Sequence, residues 1–255
     1  MGYSNGLVYF IDILGTKEKT FDELLTINRS FHRHLKLSQD IKNRSNNGTK
    51  HVMSFSDCAY ILYFPPSNHN DPVKIMNYIY DNLADVALTI LYLISHGYLC
   101  RGGISYGELY YEKENTIFFG PAVNKAYALE TEAKMPRIIF DKELALKIME
   151  YENKYKRNKR NIIIKDDEDS IYYINYLYIF KEYFSDKDAF LTLHNKLKNY
   201  SDRIIEVTEN SSVKEKHYWH IKYLDRIKSV LSDLPKNKKH TLLSHAFVEY
   251  LTKIT

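Results

Sequence analysis

Two aspartates lie where a charged side chain destabilises a fold unless it has a partner. Asp12 interrupts the apolar run Leu7–Leu14, and Asp57 lies between two β-prone runs, Val52–Ser56 and Ala59–Phe64. The first run is typical of a central strand, and the other two of a hairpin with Asp57 near its turn. A sheet that pairs these strands brings the two carboxylates together. A divalent cation would remove their repulsion and create a site for phosphate oxygens.

Each acid also has a structural interpretation, since Asp12 could cap the following helix and Asp57 could simply make its turn. For either acid alone, the structural interpretation is favoured. The presence of both acids favours a functional site. Gly15 and Thr16 follow at a strand-to-helix turn, where free backbone N–H groups can cradle a phosphate, although a glycine there also makes the turn. Arg101 begins a glycine-rich strand and is either a phosphate contact or a surface ion-pair residue.

Other polar residues carry weaker signals. Asn124 lies one turn into a helix, where its carboxamide can hydrogen-bond a substrate hydroxyl or be an ordinary helix asparagine. His217 and His220 have a spacing compatible with metal binding, but no third ligand accompanies them. We therefore expect these histidines to be surface or core residues.

Hydrophobic periodicity predicts the elements that position these residues. Further strands are expected over Tyr98–Tyr111, Arg137–Phe140 and Ser170–Leu177, and helices over Phe21–Ile41, Pro72–His96, Gly120–Ala133, Asp141–Tyr151, Ala189–Val207, Val213–Leu231 and Thr241–Ile254. This order predicts an α+β fold, a mainly antiparallel sheet flanked by helices. The expected division is a catalytic domain over residues 1–180 and a helical C-terminal extension over 181–255.

Composition limits the class of protein. With 255 residues, 44% of them hydrophobic, the chain can bury a core without disulfides or a structural metal. Cys58 and Cys100 lie in apolar runs, and no basic leader is present at the amino terminus, which favours a reducing cytoplasm. The longest apolar stretch, Ala84–Ile94, is too short for a membrane span. A net charge of +4 with no basic stripe argues against nucleic acid and suits a polyanionic small ligand.

Five segments together resemble the ordered motifs of the class III nucleotidyl cyclases. They are FIDILG (10–15), SDCAYIL (56–62), RGGISYG (101–107), FGPAVNKAYALE (119–130) and MPRIIFDKELA (135–145). The resemblance spans residues 7 to about 177 and implies the sandwich fold of that family, dependence on two Mn²⁺ or Mg²⁺ ions, and a homodimer with both sites at the interface. Asp12, Asp57 and the Ile13 carbonyl would bind the metals, and Asn124 would orient the ribose. Nucleotide contacts are implied for Phe10, Ile13, Gly15, Thr16, Met53 and Ile117.

Departures from the family pattern bear on the substrate. Met53 and Ile117 stand where purine cyclases carry the lysine and the aspartate that read the base, so the hydrogen bonds that distinguish adenine from guanine are absent. Ala128 replaces the arginine that stabilises the transition state. Arg101 is the nearest replacement, with Lys125 and Lys134 as alternatives.

The chain most resembles the pyrimidine cyclases of the bacterial Pycsar antiphage defence system, which make cyclic UMP or cyclic CMP for a separate effector. Uracil is favoured over cytosine on family frequency only. The first alternative is a catalytically inactive cyclase-fold module that senses nucleotides; loss of a metal acid would indicate it, and both acids are retained. The second is a polymerase-type palm, which would also use two metal acids but needs a template groove.

Overall fold

The computed structural model describes residues 3–17, 19–44, 47–68, 71–156, 161–178 and 187–231. Within them the strands are β1 (Ser4–Ile13), β2 (Thr49–Phe55), β3 (Cys58–Phe64), β4 (Cys100–Glu112), β5 (Ile117–Phe119), β6 (Ile138–Phe140), β7 (Ile163–Lys165) and β8 (Tyr172–Ile174). The helices are α1 (Phe21–Arg44), α2 (Pro72–Ser95), α3 (Pro121–Ala133), α4 (Lys142–Tyr155), α5 (Lys187–Val207) and α6 (Ser211–Leu231). The predicted α+β fold is confirmed.

One sheet organises the chain, in the strand order β2-β3-β1-β4-β6-β8-β7, with β5 paired to β4 outside this row. All described strand pairs are antiparallel except β4 with β6. The strand β1 is hydrogen-bonded on both sides, which explains its almost unbroken apolar sequence. Its register sets Asp12 opposite Cys58 of β3 and opposite Arg101 of β4.

The two faces of β1 pack against different layers. Leu7, Tyr9 and Ile11 join the large core that includes α1 and α2, whereas Val8 and Phe10 join a smaller cluster beneath α3. Because side chains alternate along a strand, Asp12 belongs to the α3 face. The candidate site therefore lies at the end of a rigid central strand.

Two glycines of β4 allow this close packing, as their position in a glycine-rich strand predicts. A Cβ atom at Gly102 would lie 1.9 Å from the Phe10 carbonyl oxygen, and one at Gly103 would lie 2.3 Å from the Ala126 carbonyl oxygen. The groups that approach them closely are the chain's own β1 and α3.

The edge of the sheet near β2 contains a buried charge that no pattern in the sequence predicts. Lys50 has no exposed surface, and its Nζ atom donates to Asp85 Oδ2 at 2.6 Å and to Ser38 Oγ at 2.8 Å. Tyr63 donates to the same Asp85 oxygen at 2.8 Å. These partners make the burial of a lysine tolerable.

The C-terminal helices pack against the sheet domain. Trp219 and Tyr223 of α6 both contact Tyr173 of β8, and the Arg137 guanidinium lies 5.6 Å from the Trp219 ring. The main core is continuous across residue 180, although the division of the chain at that point stays a prediction. The predicted helix Thr241–Ile254 lies outside the described residues.

Some predicted boundaries were wrong. The strand expected over Ser170–Leu177 is only three residues long, and neither β5 nor β7 was predicted. These strands pair over one to three residues each, which is too short for an alternating pattern to form. Among the described helices, none combines the length and the apolar character that crossing a bilayer requires.

Candidate functional site

Asp12 and Asp57 meet at one end of β1, as their placement in the sequence predicts. Asp57 lies in the turn between β2 and β3, and its backbone oxygen accepts a hydrogen bond from Ile13 N at 2.9 Å. Ser56, the residue before it, has a φ of 49°, so the turn is tight. The two strands that carry the acids are thus joined at the residue next to Asp12.

The turn after β1 is fixed to the same acid. Thr16 is buried, and its hydroxyl donates a short hydrogen bond to Asp57 Oδ2. Gly15 has a φ of 79°, a left-handed conformation that favours glycine, and open space surrounds the position of its absent Cβ atom. The turn therefore presents backbone next to the acids with no side chain in the way.

Helix α1 is capped by other residues, which removes the structural explanation for Asp12. Thr20 and Glu23 form a capping box in which Thr20 N donates to Glu23 Oε2 at 2.9 Å and Glu23 N donates to Thr20 Oγ1 at 3.4 Å. Asp12 is eight residues upstream of this cap, and its carboxylate faces Arg101 instead.

Arg101 forms ion pairs with two acids, but these pairs are partly buried and not on the surface, as the second of its two sequence interpretations had it. Its Nε atom lies 3.4 Å from Asp12 Oδ2 and in direct contact with Glu130 Oε1 of α3. The contact with Glu130 lacks the direction of a hydrogen bond. Glu130 is only 6% exposed. This third acid of the site was missed in the sequence analysis, although it occupies a position of the apolar stripe of α3.

Metal-free, the site disfavours ionisation of Asp12. Burial first, then the neighbouring charge of Glu130, raises the pKa of Asp12 from 3.8 to about 6, with a smaller contribution from Asp57; Arg101 acts in the opposite direction. Burial together with the same three carboxylates raises the pKa of the Cys58 thiol to about 12. An excess of negative charge is therefore concentrated at the end of β1.

Oxygen donors are the feature of this site that suits a hard divalent cation. Asp12 and Asp57 offer carboxylates. The residues from Ile13 to Gly15 offer backbone carbonyls, and Thr16 offers a hydroxyl. Within the described parts of the chain, no group of three or more His, Cys, Asp and Glu side chains is arranged to hold a metal ion. A metal at the Asp12–Asp57 pair would therefore need oxygens from the backbone, water or a ligand.

Aromatic rings lie on the α3 face beside the acids. The Phe10 ring centroid is 4.6 Å from that of Tyr60 and 5.4 Å from that of Tyr127, which is 55% exposed. Met53 is buried in the same small cluster. Ile117 is 45% exposed on β5, and its neighbour Phe118 is the residue that contacts Tyr60. Sequence reasoning had placed Met53 and Ile117 around one base, and this role stays a prediction.

The remaining predicted site residues lie on the outer side of α3 or at its end. Asn124 is exposed, and within the described residues its side chain has no hydrogen-bond partner. Lys125 is paired with Asp141 at 2.9 Å. Lys134 is exposed at the C-cap of α3. The structure thus groups Asp12, Ile13, Gly15, Thr16, Asp57 and Arg101. In the described part of the chain, no hydrogen bond joins the Asn124 side chain to this group.

The two histidines are core residues, as expected. His217 Nδ1 and His220 Nδ1 lie 3.1 Å and 3.0 Å from the Ser201 hydroxyl, and His220 Nε2 lies 2.9 Å from the Tyr176 hydroxyl. Burial lowers the pKa of His217 to about 4 and that of His220 to about 3. Both imidazoles are therefore neutral partners in a buried network.

No family model matches the chain, and no curated protein matches it by sequence. Among solved structures, it is similar to the adenylyl cyclase CyaB from P. aeruginosa, at 16% identity and a TM-score of 0.43 over 68% of this chain and 94% of that chain. It is also similar to the monomeric guanylyl cyclase domain of the RhoGC fusion protein from Blastocladiella emersonii (14% identity, TM-score 0.44, 68% and 95% covered). A bacterial light-regulated adenylyl cyclase has 14% identity and a TM-score of 0.42, with 71% and 95% covered. These values are low, so the function proposed for this chain rests on its own side chains.

Proposed function

We propose that the chain is a nucleotidyl cyclase that converts a pyrimidine ribonucleoside triphosphate, UTP in preference to CTP, into the 3′,5′-cyclic nucleotide and pyrophosphate. The observation that carries this proposal is the convergence of Asp12 and Asp57 beside the open Gly15–Thr16 turn. Two carboxylates at one end of a strand suit divalent cations, and the turn suits the phosphates of a nucleotide. The product would act as a second messenger in antiphage defence, read by a separate effector.

Asp12 and Asp57 would hold two Mn²⁺ or Mg²⁺ ions, with the Ile13 carbonyl as a further ligand. The raised pKa of Asp12 supports this, because a site that disfavours its own negative charge gains from a bound cation. When bound, such ions acidify the ribose 3′-hydroxyl and neutralise phosphate charge.

The chain's own groups contribute mainly positioning and charge neutralisation, which is what phosphoryl transfer requires. The ribose 3′-oxygen would attack the α-phosphorus in line while its proton passes to solvent water, and the bond from that phosphorus to the bridging oxygen would break as pyrophosphate leaves. Backbone N–H groups of Gly15 and Thr16 would bind the terminal phosphates. Arg101 pairs with Asp12 itself and is therefore the cation proposed for the transferred phosphate, whereas Lys125 pairs with Asp141, which is not one of the two metal acids.

The preference for a pyrimidine base is proposed because the residues at the expected base position lack the polar groups that read a purine. Met53 is buried beside Phe10 and carries no donor or acceptor that could read a purine edge. Phe10 and Tyr60 offer ring faces on which a base can stack. A pocket without purine-reading polar groups loses its discrimination for adenine and guanine.

We further propose that the enzyme is a homodimer with shared sites. Asn124 has no partner among the described residues of its own chain, and it lies on the same outer face of α3 as the exposed Tyr127. Phe119, two residues before α3, and Tyr3 are exposed as well, with ring centroids 6.0 Å apart. Such a surface is typical of an interface, and Asn124 of one subunit would then reach the acids of the other.

The experiment is to incubate the purified chain with each of the four ribonucleoside triphosphates and Mn²⁺, and to identify the product by mass. We expect cyclic UMP, with cyclic CMP as the lesser product, and at least about tenfold less product from ATP and GTP. Asp57→Ala should give at least about 10²-fold less product, whereas the exposed-acid control Asp40→Ala should be unchanged. Similar rates with ATP and UTP would contradict the pyrimidine preference. Absence of product from all four would contradict the enzyme and favour the sensing module.

A further inference from the structure

A cavity of about 370 Å³ lies where the turn after β1 meets the C-terminal helices. Its walls are the Leu14–Gly15 turn, the segment Gly97–Leu99 that precedes β4, and the facing parts of α5 and α6. This volume lies within the range of small-molecule sites, roughly 300 to 1,000 Å³. We call it the junction cavity.

The junction cavity has a mixed lining with one sign of charge. Apolar side chains such as Leu14, Leu99 and Ile204 make its walls, and Lys19 and Lys216 are its charged members; no acidic side chain is found among the described residues that line it. Lys19 is already paired with Glu23 of α1 at 3.2 Å, so Lys216 is the cation on which the argument rests. Lys216 Nζ contacts only the neutral Ser212, at 2.8 Å from its hydroxyl, so no described acid neutralises it. These surroundings suit a ligand with an apolar body and an anionic group.

The wall of the junction cavity is continuous with the candidate active site. Leu14 and Gly15 directly follow the Asp12–Ile13 end of β1, and the next residue, Thr16, donates to Asp57. Leu14 N donates to the Leu99 oxygen at 2.8 Å, so the turn after β1 and the segment before β4 are hydrogen-bonded to each other. A molecule seated against Leu14 and Gly15 would therefore contact the turn proposed to hold the phosphates.

The opposite wall is held in place by polar contacts. The Tyr200 hydroxyl of α5 donates to the Gly97 oxygen at 2.6 Å. His217, which lines the cavity, is linked through Ser201 to His220 and from there to Tyr176. The side chains of this histidine network are buried and hydrogen-bonded to one another. The C-terminal helices therefore present a preformed surface to the turn.

We propose that the junction cavity binds a small amphiphilic anion, an effector separate from the substrate, that sets the conformation of the Gly15–Thr16 turn. This assigns a regulatory role to the C-terminal helices. A ligand shifts the conformation of the turn only if it binds one conformation of the turn more tightly than another. If the anion changes the affinity for metal, the metal must change the affinity for the anion by the same factor. The effect on cyclisation and the coupling to metal rest on the proposed function, whereas binding of the anion does not.

The probe for this site is anilinonaphthalene sulfonate, an aromatic anion whose emission rises in apolar surroundings. We expect saturable binding at one site per chain, measured by emission and by calorimetry. Lys216→Glu should weaken it by about tenfold or more through loss of one charge-assisted contact and added repulsion. Lys214→Glu, on the same helix but outside the cavity, makes the same change in net charge and should leave affinity unchanged. Val213→Trp, which fills the cavity, should also weaken binding.

Coupling is measured as the affinity of Mn²⁺ with and without saturating probe. A change of about threefold or more, absent in Lys216→Glu, would support the effector role even if no triphosphate is cyclised. Equal Mn²⁺ affinities would overturn that role. Equal weakening by Lys214→Glu and Lys216→Glu, or no effect of Val213→Trp, would overturn the site itself. Displacement of the probe by UTP in the presence of Ca²⁺ would assign the cavity to the substrate and overturn a separate effector.

Discussion

Replacing Asp12 by asparagine should stabilise the metal-free protein at alkaline pH. The side chain keeps its shape and a hydrogen-bonding oxygen for Arg101, but it loses a charge that lies near Glu130 and Asp57. In most folds, removing one partner of an ion pair is destabilising. Here the expected sign is the opposite, because burial and the two other acids outweigh the arginine.

The magnitude follows from the pKa of Asp12. A rise from 3.8 to about 6 means that ionised Asp12 destabilises the folded state by up to about 3 kcal/mol above that pH. Its side chain is 24% exposed, so solvent screening reduces this, and we expect about 1 to 3 kcal/mol. Between about pH 4 and 6 the folded state binds the proton that the unfolded state releases, so wild-type stability falls as pH rises through that window. The advantage of Asp12→Asn should grow over the same window and vanish below it.

The assay is urea unfolding followed by circular dichroism in EDTA, at several values of pH from acid to alkaline. Asp40→Asn, which removes an exposed carboxylate of α1, is the matched control and should follow the wild type. The series is then repeated with excess Mn²⁺, which stabilises only a form that binds it. Wild type should gain stability and Asp12→Asn should gain little. The difference between their free energies of unfolding should therefore narrow or change sign.

Two results would refute the reasoning. If Asp12→Asn is less stable than wild type in EDTA at alkaline pH, the Arg101 ion pair dominates and the site has no excess negative charge. If Mn²⁺ stabilises both proteins equally, Asp12 does not bind it.

Other outcomes test the same site from different directions. Asp57→Ala should lower cyclisation by about 10²-fold or more, with an unchanged circular dichroism spectrum, because several kcal/mol of metal-dependent stabilisation are lost; near wild-type turnover would contradict the two-metal assignment. Mixing Asp12→Ala chains with Asn124→Ala chains should restore activity that neither parent has, whereas full activity at a light-scattering mass of one 30.2 kDa chain would rule out a shared site. The affinity for Mn²⁺ should fall by about tenfold per pH unit below about pH 6, as protons compete at Asp12; a calorimetric affinity independent of pH would argue against Asp12 as a ligand.

The sequence was most informative where a residue type broke a strong pattern. Asp12 is conspicuous because it interrupts an apolar strand, and the hairpin around Asp57 could be paired with that strand by element order alone. The central elements β1, β3, α2 and α3 were predictable for the same reason, since each has a long run of one period. A three-residue strand has too few positions to show a period. The strands β5 and β7 and the length of β8 were therefore not predictable from the sequence.

Partners across the fold were harder to predict than positions along it. In the sequence, Glu130 resembles an ordinary acidic residue of a helix. It lies four residues after Ala126 and three before Ala133, and both alanines are fully buried. That spacing puts it on the apolar stripe and could have identified it. Lys50 has no such signal, because the residue that makes its burial possible, Asp85, lies 35 positions away. Long-range pairing of charges depends on tertiary contacts that periodicity does not encode.

The chain has one tryptophan, and its place in the fold gives the protein an intrinsic spectroscopic reporter. Trp219 is buried where α6 meets the sheet, with its indole N–H donating to Asp166 Oδ2 at 3.1 Å and the Arg137 guanidinium beside its ring. Light that tyrosine does not absorb would excite this residue alone. Its emission therefore reports whether α6 is docked, and a red shift during partial denaturation would reveal separation of the C-terminal helices while the sheet remains folded.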